Sequence, residues 1–381
     1  MKTNPPFKAD HVGSLLRLPE LKDARTKFEK GNLSADELKA VEDESITKIV
    51  AVQERAGMKG ITDGEQRRKF FHVDFLEKFE GVEASHGEYE IKFRGEDKDV
   101  SFVPPVLNVT GKISRPKEGI ALDDFRFLNS VVSEDSVAKI CIPSPSMLHF
   151  RGGRDGISKD AYPDMDNFFT DLTHVYQQEI KALYDLGCRY LQLDDTNLAY
   201  LCDPEHCERV KALGEDPAEL PSLYAKLITD CFKGIPEDMT TAIHLCRGNH
   251  ASAWAAEGGY EPEADTMFNE TGVDAFFLEY DDDRSGSSNP LRFVPKDKTV
   301  VLGLISSKVS TLETPEEIIT RIKEAGEYID LDQCCLSPQC GFSSTEVGND
   351  ISMQNQFKKL KFVVDVAEEF WGNKSSKASN Y

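Results

Sequence analysis

Short apolar runs rich in β-branched residues recur along this chain, and most are followed by a stretch with the spacing of an amphipathic helix. Strands that alternate with helices in this way are typical of a parallel sheet covered by helices. Eight such units in 381 residues favour a (β/α)8 barrel, the TIM barrel, over a doubly wound sheet, although periodicity alone leaves closure of the barrel open. The predicted strands are 7–11, 60–63, 138–142, 190–193, 240–244, 275–278, 299–305 and 333–336.

The predicted helices have recognisable starting points. Ser34 and Glu37 have the spacing of a capping box, and so do Thr314 and Glu317, where proline occupies the first helical position. A last helix is expected over about 353–371.

One stretch departs from the strand-and-helix rhythm. Residues 81–117 alternate between apolar and polar side chains and are punctuated by glycine, as in a β-hairpin. We therefore predict an α/β protein in which 1–372 form a single TIM barrel, with a β-hairpin insertion after the second βα unit. The polar residues 373–381 are predicted to be a disordered tail.

Composition and charge narrow the class of protein. The chain has 45 basic and 67 acidic residues, a formal net charge of −22, so that nucleic acid and anionic membranes are not expected partners. No apolar run is long enough to span a membrane, and the N-terminal residues lack the apolar segment of a secretory signal. We expect a cytoplasmic enzyme that acts on small molecules, and the sequence leaves its assembly as a homo-oligomer open.

Potential zinc ligands follow three of the predicted strands. His244 and Cys246 are two residues apart on an extended segment and therefore face the same side. Glu279 and Cys340 follow later strands, and in a barrel the carboxyl ends of the strands meet. Two thiolates, one neutral imidazole and one carboxylate would complete a tetrahedral Zn²⁺ site. A lone His-x-Cys is more often a buried histidine beside a buried thiol, so this prediction depends on the joint placement.

The other cysteines are expected to be ordinary thiols. The chain has nine cysteines and no export signal, which argues against a disulfide framework. Cys202, His206 and Cys207 lie close together, but they occupy a loop or early helix without a second ligand cluster. Cys334 and Cys335 are adjacent and point to opposite faces of a strand, so at least one of them is expected in the core.

Several short motifs resemble one enzyme family. In chain order they are HVGS from His11, DGE from Asp63, LQLDD from Leu191, HLC from His244, LEY from Leu278 and SPQCGF from Ser337. Together they resemble the catalytic barrel of cobalamin-independent methionine synthase over residues 7–371, which corresponds to the C-terminal half of the full-length enzyme.

The resemblance implies a metal and a reaction. In that family the residues that match His244, Cys246, Glu279 and Cys340 bind zinc. The barrel transfers a methyl group from 5-methyltetrahydrofolate, in its polyglutamate form, to the thiol of homocysteine, and methionine is the product. Zinc bound to a thiol keeps it deprotonated at neutral pH, and an anionic ligand shell helps the sulfur to remain nucleophilic.

The resemblance also implies substrate-binding residues. Glu65 and Asp194 match carboxylates that hold the amino group of the substrate, and both are candidate catalytic residues. Gly13 and Ser14 match the backbone and hydroxyl that hold its carboxylate, and His11 belongs to the same element. The plainer alternatives are a solvated loop with ordinary ion pairs around Glu65 and a simple turn at Gly13.

Three departures from the family pattern leave the donor open. The chain has Asp-Asp-Thr at Asp194 where the family has Asp-Glu-Pro, and Ile305 where the seventh strand of the family carries a histidine thought to transfer a proton. N5 of methyltetrahydrofolate must be protonated before it leaves as an amine, so a folate-dependent enzyme needs an acid there. Arg247, beside Cys246, would suit capture of a carboxylate, sulfonate or phosphate, or it could pair with a local acid.

These departures keep other functions under consideration. Epoxyalkane:coenzyme M transferases resemble this chain in the HLCRGN and SPQCGF forms, so a related zinc thiol alkyltransferase with another donor and thiol is the first alternative. A zinc-binding or folate-binding module without catalysis is the second, and a metal-free sugar or decarboxylase barrel is the third.

Overall fold

The computed structural model describes residues 4–87, 90–95 and 99–372, and the predicted tail at 373–381 lies outside them. Its strands are β1 (Gly60–Ile61), β2 (Glu80–Ser85), β3 (Ile91–Phe93), β4 (Val100–Phe102), β5 (Val106–Ser114), β6 (Val137–Ala138), β7 (Ile140–Pro143), β8 (Tyr190–Asp195), β9 (Thr240–Leu245), β10 (Ala275–Glu279), β11 (Thr299–Ile305) and β12 (Cys334–Pro338). Its α-helices are α1 (Pro19–Glu29), α2 (Ala35–Ala56), α3 (Val73–Leu76), α4 (Leu122–Val131), α5 (Met147–Phe150), α6 (Met165–Asp185), α7 (Asn197–Tyr200), α8 (Pro204–Ala212), α9 (Leu220–Cys231), α10 (Ala264–Glu270), α11 (Pro315–Ala325) and α12 (Met353–Ala367).

Strands β7 to β12 form a six-stranded parallel sheet in chain order. Nearly every residue of this sheet is buried, as expected for parallel strands whose two faces are both covered. This confirms the predicted α/β class. Strand β1 pairs with β6 in a separate parallel ladder. The predicted strand 7–11 is seen only as a bridge between Ala9 and Leu336 of β12, so its extent was predicted wrongly.

Antiparallel pairs lie between β1 and β6. Strand β2 pairs with β5, and β3 pairs with β4. Ile91 and Phe93 of β3 pack against Ala253, which follows β9. Arg94 and Trp254 exchange two backbone hydrogen bonds of 2.7 and 2.8 Å. These contacts attach the β3–β4 pair to the segment that follows His244 and Cys246.

The predicted capping boxes are present. The Ser34 hydroxyl accepts the Glu37 backbone N–H at the start of α2, and the Glu37 side chain accepts the N–H of Ser34 in return. Thr314 and Glu317 make the same pair of contacts at the start of α11. Within the described ranges, no helix is both long enough and apolar enough to cross a bilayer.

A buried ion pair joins the N-terminal segment to the sheet. Lys139 and Asp10 are both fully buried, and Lys139 Nζ lies 3.3 Å from Asp10 Oδ1. Lys139 also donates to the His11 carbonyl at 2.6 Å, and the Tyr190 hydroxyl donates to Asp10 Oδ2 at 2.8 Å. The ammonium lies 4.0 Å from the centre of the Phe277 ring. Because Asp10 precedes the segment that carries Ser14, these contacts position one wall of the candidate site.

Candidate functional site

Four potential ligands converge at the carboxyl edge of the parallel sheet. His244 is near the end of β9 with Cys246 just beyond it, Glu279 ends β10, and Cys340 follows β12. One ligand atom from each residue lies within 4.8 Å of the other three, and all four residues are buried. The sequence places each residue at a strand end, and the sheet brings those ends together. The arrangement could hold a metal ion.

Hydrogen bonds orient the four side chains. The Nδ1 of His244 lies 3.2 Å from the Phe277 carbonyl, while Nε2 has no hydrogen-bond partner among the described residues. A neutral imidazole has one N–H, so donation from Nδ1 leaves the Nε2 lone pair free to bind a metal. Glu279 accepts the Arg247 backbone N–H at 2.9 Å.

The two thiols lie side by side. The sulfur atoms of Cys246 and Cys340 are 3.4 Å apart and form no disulfide. The Gly248 backbone N–H donates to the Cys246 sulfur at 3.3 Å. Gly248 has φ +86°, and a Cβ there would lie 2.7 Å from the Tyr200 hydroxyl, so both conformation and space require glycine. The turn therefore aims a backbone donor at the thiol.

Two cations that the sequence analysis did not select keep Glu279 ionised. Burial alone would raise the pKa of this carboxyl, but Lys308 and Arg284 hold it below its usual value. Lys308 follows β11, and its buried Nζ has no hydrogen-bond partner in the described part of the chain. The sequence feature that could have identified Lys308 is its position just after a strand end.

A cavity adjoins the cluster and brings predicted substrate residues together. His244, Cys246 and Cys340 form one part of its wall, and Glu65 and Asp194 form another. Aromatic side chains complete it; these include Phe70, Phe71, Phe93 and Phe102. Phe102 of β4 stacks on His250 with ring centres 4.6 Å apart. The alternating pattern predicted a hairpin, but its apolar residues gave no indication that they reach this site.

Glu65 and Asp194 are two buried carboxyl groups with raised pKa values. Burial, with a contribution from the nearby Asp194, raises the pKa of Glu65 to about 8. Burial likewise raises the pKa of Asp194 to about 6. Glu65 has φ 55°, a left-handed conformation that is strained for a non-glycine residue, and its Oε2 has no partner among the described residues. A cationic group bound between the two carboxyls would lower both pKa values and so favour their ionised forms.

The neighbouring Asp195 has different partners. Its Oδ1 accepts the Leu198 backbone N–H at 2.9 Å, within α7, and its Oδ2 accepts the Ser146 hydroxyl at 2.6 Å. These contacts give Asp195 a structural role at the start of the helix.

The residues of the HVGS motif differ in their contact with the cavity. Ser14 lines it, and the Gly13 carbonyl accepts the Thr62 hydroxyl at 2.6 Å. A side chain at Gly13 would lie 2.6 Å from the Cys141 sulfur, so close packing requires glycine. The His11 side chain does not line the described cavity, and its Nε2 lies 3.1 Å from the Gly60 carbonyl. Burial and the nearby Lys139 lower the pKa of His11 to about 4, so its imidazole is neutral.

The structure places the Arg247 side chain against an aromatic ring. Its guanidinium lies 4.2 Å from the centre of the Tyr260 ring and does not line the described cavity. The side chain is fully buried, and its nitrogens have no hydrogen-bond partner among the described residues. The observed link to the cluster is through its backbone N–H, and the capture of a substrate anion by Arg247 stays a prediction.

The Cys202, His206 and Cys207 group does not converge on a point. His206 stacks on Tyr200 with ring centres 4.2 Å apart. The Cys202 and Cys207 thiols donate to the carbonyls of Leu198 and Leu201, respectively. The described residues thus place these side chains in separate packing contacts, in agreement with the interpretation as ordinary thiols.

Comparison with known proteins identifies the family. Residues 7–369 match the sequence model of the cobalamin-independent synthase catalytic domain. The uncharacterized protein YxjH of Bacillus subtilis strain 168 is 45% identical over 367 residues, which cover 96% of this chain and 95% of YxjH.

Two solved structures are similar over nearly the whole chain. The putative vitamin-B12 independent methionine synthase of Listeria monocytogenes is 39% identical, with a TM-score of 0.77 and coverage of 97% of this chain and 99% of that one. A B12-independent methionine synthase from Shewanella sp. W3-18-1, solved in complex with selenomethionine, has the same fold with a TM-score of 0.71, 21% identity and the same two coverages. The chain therefore belongs to the cobalamin-independent methionine synthase family, whose members are methyltransferases.

Proposed function

We propose that this protein is a zinc-dependent enzyme that transfers the methyl group of 5-methyltetrahydrofolate to the thiol of homocysteine and so forms methionine. The observation that carries the proposal is the buried convergence of His244, Cys246, Glu279 and Cys340 within 4.8 Å. Two thiols, an imidazole and a carboxylate are a donor set that suits zinc. The unpartnered Nε2 of His244 also fits a bound metal, since a buried nitrogen without a partner is otherwise unfavourable.

The roles of the side chains follow from their contacts. Zinc, when bound, supplies a Lewis acid that keeps a substrate thiol deprotonated. The backbone carbonyl of Phe277 fixes the tautomer of His244. Lys308 and Arg284 balance the negative charge of Glu279. The aromatic wall of the cavity limits the access of water to the reacting groups.

The carboxylate pair is proposed to bind the acceptor. The ammonium group of homocysteine would lie between Glu65 and Asp194, and the hydroxyl of Ser14 with the backbone at Gly13 would receive its carboxylate. The cavity wall supports this assignment, because Glu65, Asp194 and Ser14 face the same space as Cys246. The selenomethionine complex of the Shewanella protein is in keeping with an amino-acid product.

Replacement of Glu65 by glutamine is expected to weaken homocysteine binding. The variant replaces a carboxyl group, which a bound ammonium would hold in its ionised form, by a neutral amide. KM for homocysteine should therefore rise roughly tenfold to a hundredfold, the range for a hydrogen bond to a charged group. Steady-state kinetics with homocysteine as the varied substrate measure the change. Glu44→Gln, on the exposed face of α2, serves as the control with the same change in charge. An unchanged KM would remove Glu65 from the acceptor site.

We also propose that the six-stranded sheet and the β1–β6 pair belong to one eight-stranded barrel. This barrel would form a single domain over 1–372. The bridge from Ala9 to Leu336 supports contact between the first and last units, and β6 lies directly before β7 in the chain. In this arrangement 81–117 is a hairpin insertion after the second βα unit.

Zinc-edge X-ray absorption, with and without homocysteine, tests the proposed function. The protein alone should show two sulfur ligands, and addition of homocysteine should raise the number to three. Protein that contains no zinc and takes up none would exclude the proposal. Two sulfurs that stay two would retain the metal site and exclude homocysteine as the thiol.

A related zinc thiol alkyltransferase with another donor is the second candidate. It is favoured by Ile305, which ends β11 where the family carries a histidine and cannot supply a proton to a folate nitrogen. The same absorption measurement with coenzyme M distinguishes the two candidates, because only one of the thiols should add the third sulfur. No change with either thiol would favour a binding module without catalysis.

A further inference from the structure

The Arg247 side chain is a buried cation without a counter-charge. It is fully buried, and none of its guanidinium nitrogens has a hydrogen-bond partner among the described residues. A charge that leaves water without a partner is unfavourable, so buried guanidinium groups are normally paired with an anion. The contact with the face of the Tyr260 ring, 4.2 Å from its centre, compensates only part of this loss.

A second unpartnered donor lies next to the same ring. Tyr280 is 3% exposed, and its hydroxyl has no hydrogen-bond partner in the described part of the chain. Its ring packs edge-on against Tyr260 with ring centres 5.6 Å apart. Burial raises the pKa of the Tyr280 hydroxyl, and the positive charge of Arg247 acts in the opposite direction. The guanidinium and this hydroxyl are therefore close enough to act on the same ligand.

Two loop segments enclose this region. Segment 284–286 packs so closely against 258–260 that a Cβ at Gly286 would lie 2.8 Å from the Cα of Gly259. Ser285 is fully buried in this contact, and its hydroxyl also has no partner among the described residues. The unpartnered side-chain groups around Tyr260 are thus hydrogen-bond donors that bulk water does not reach. A ligand that binds them must be small.

We propose that Arg247 and Tyr280 bind a small inorganic anion of single charge, such as chloride, outside the wall of the site cavity. The anion accepts hydrogen bonds from both groups and supplies the charge that the guanidinium lacks. A water molecule could accept the same hydrogen bonds, but it would leave the buried charge uncompensated. A larger acid would need an opening to solvent, which the full burial of Arg247 excludes. The inference does not depend on the proposed methyl transfer.

The backbone of Arg247 connects this anion site to the candidate metal cluster. Arg247 directly follows Cys246, and its N–H donates to the Glu279 carboxylate at 2.9 Å. Its carbonyl accepts the N–H groups of Ala255 and Ala256 at 3.0 and 2.9 Å. An anion that holds the side chain therefore also stabilises the turn that positions two of the four candidate ligands.

Urea unfolding of the full-length protein in chloride tests the inference. Gluconate, which is too large for an enclosed site, replaces chloride at constant ionic strength. A ligand that binds only the folded state lowers the unfolding equilibrium constant roughly a hundredfold when its concentration is a hundred times its dissociation constant. The wild type should therefore gain stability along a binding curve as chloride replaces gluconate. A response that is flat throughout would overturn the anion site.

Two variants connect the chloride response to the proposed groups. Arg247→Met should abolish the response. Tyr280→Phe removes only an unpartnered hydroxyl, so it should fold and should bind chloride roughly tenfold to a hundredfold more weakly, the range for a hydrogen bond to a charged group. Arg126→Met, in an exposed pair on α4, and Tyr328→Phe, at a tyrosine that is 38% exposed, are the matched controls and should respond as the wild type does. A wild-type response in Tyr280→Phe would overturn the assignment, even if Arg247→Met does not fold.

Bromide provides a direct view of the site, because its anomalous scattering identifies it in a crystal. Crystals grown in bromide should show an anomalous peak within hydrogen-bonding distance of both Arg247 and Tyr280. Ordered water without an anomalous peak at this position would overturn the inference. A peak without any chloride response in solution would show an adventitious ion only and would overturn it equally.

Discussion

Cys246→Ser should reduce methyl transfer by about a thousandfold or more and should lower the zinc content of the purified protein. The serine hydroxyl is a poor ligand for zinc, and the variant removes one of the four converging groups. Lewis-acid activation is worth several kcal/mol, and each 1.4 kcal/mol corresponds to a tenfold change in rate. Metal analysis together with initial rates at saturating homocysteine and methyl donor measures both effects.

Cys207→Ser is the matched control for this substitution. Cys207 is a half-buried thiol in α8 whose sulfur contacts the Leu201 carbonyl and not the cluster. The control should keep full zinc content and activity. Wild-type protein stripped of metal by a chelator should lose activity and recover it with added zinc, whereas Cys246→Ser should not recover. A fully active, zinc-loaded Cys246→Ser protein would contradict the assignment of this ligand.

Lys139→Met should lower the free energy of unfolding by about 3–5 kcal/mol, the range for breaking a buried ion pair by removing one partner. The substitution leaves the Asp10 carboxylate fully buried without its cation. The methionine roughly fills the space of the lysine stem, so the effect reports mainly on charge. Urea unfolding followed by circular dichroism provides the measurement.

Two further variants isolate the buried charge as the cause. Lys181→Met removes the cation of an exposed pair with Asp185 on α6 and should leave the unfolding midpoint almost unchanged. Asp10→Asn combined with Lys139→Met removes both charges, and the double variant should be more stable than the sum of the single losses predicts. Additive losses, or a Lys139→Met protein as stable as the Lys181→Met control, would show that the pair does not act as a coupled unit.

The convergence of the four candidate ligands could be predicted because it depends on local rules. Residues two apart on a strand face the same side, which pairs His244 with Cys246. Glu279 and Cys340 follow other strands, and parallel strands present their carboxyl ends at one edge. The capping boxes at Ser34 and Thr314 were equally local, since each needs only four consecutive residues.

Other features depend on contacts between distant segments and were not predictable in this way. The pattern at 7–11 predicted a full strand, but a strand exists only where partner backbone groups lie in register, and here that contact is limited to Ala9 and Leu336. Likewise, no local pattern predicts that the Arg247 guanidinium lies over the Tyr260 ring.

The sequence by itself determined the α/β class and the residues at which the helices capped by Ser34 and Thr314 begin. It also determined which side chains of β9, β10 and the segment after β12 could share a ligand site. These properties follow from periodicity and backbone geometry within a few residues. Only the tertiary structure decided that the aromatic residues of the β3–β4 pair line the site cavity, and that Lys139 and Asp10 are buried together. Burial, desolvation and the presence of a partner are set by segments far apart in the chain, and no local pattern encodes them.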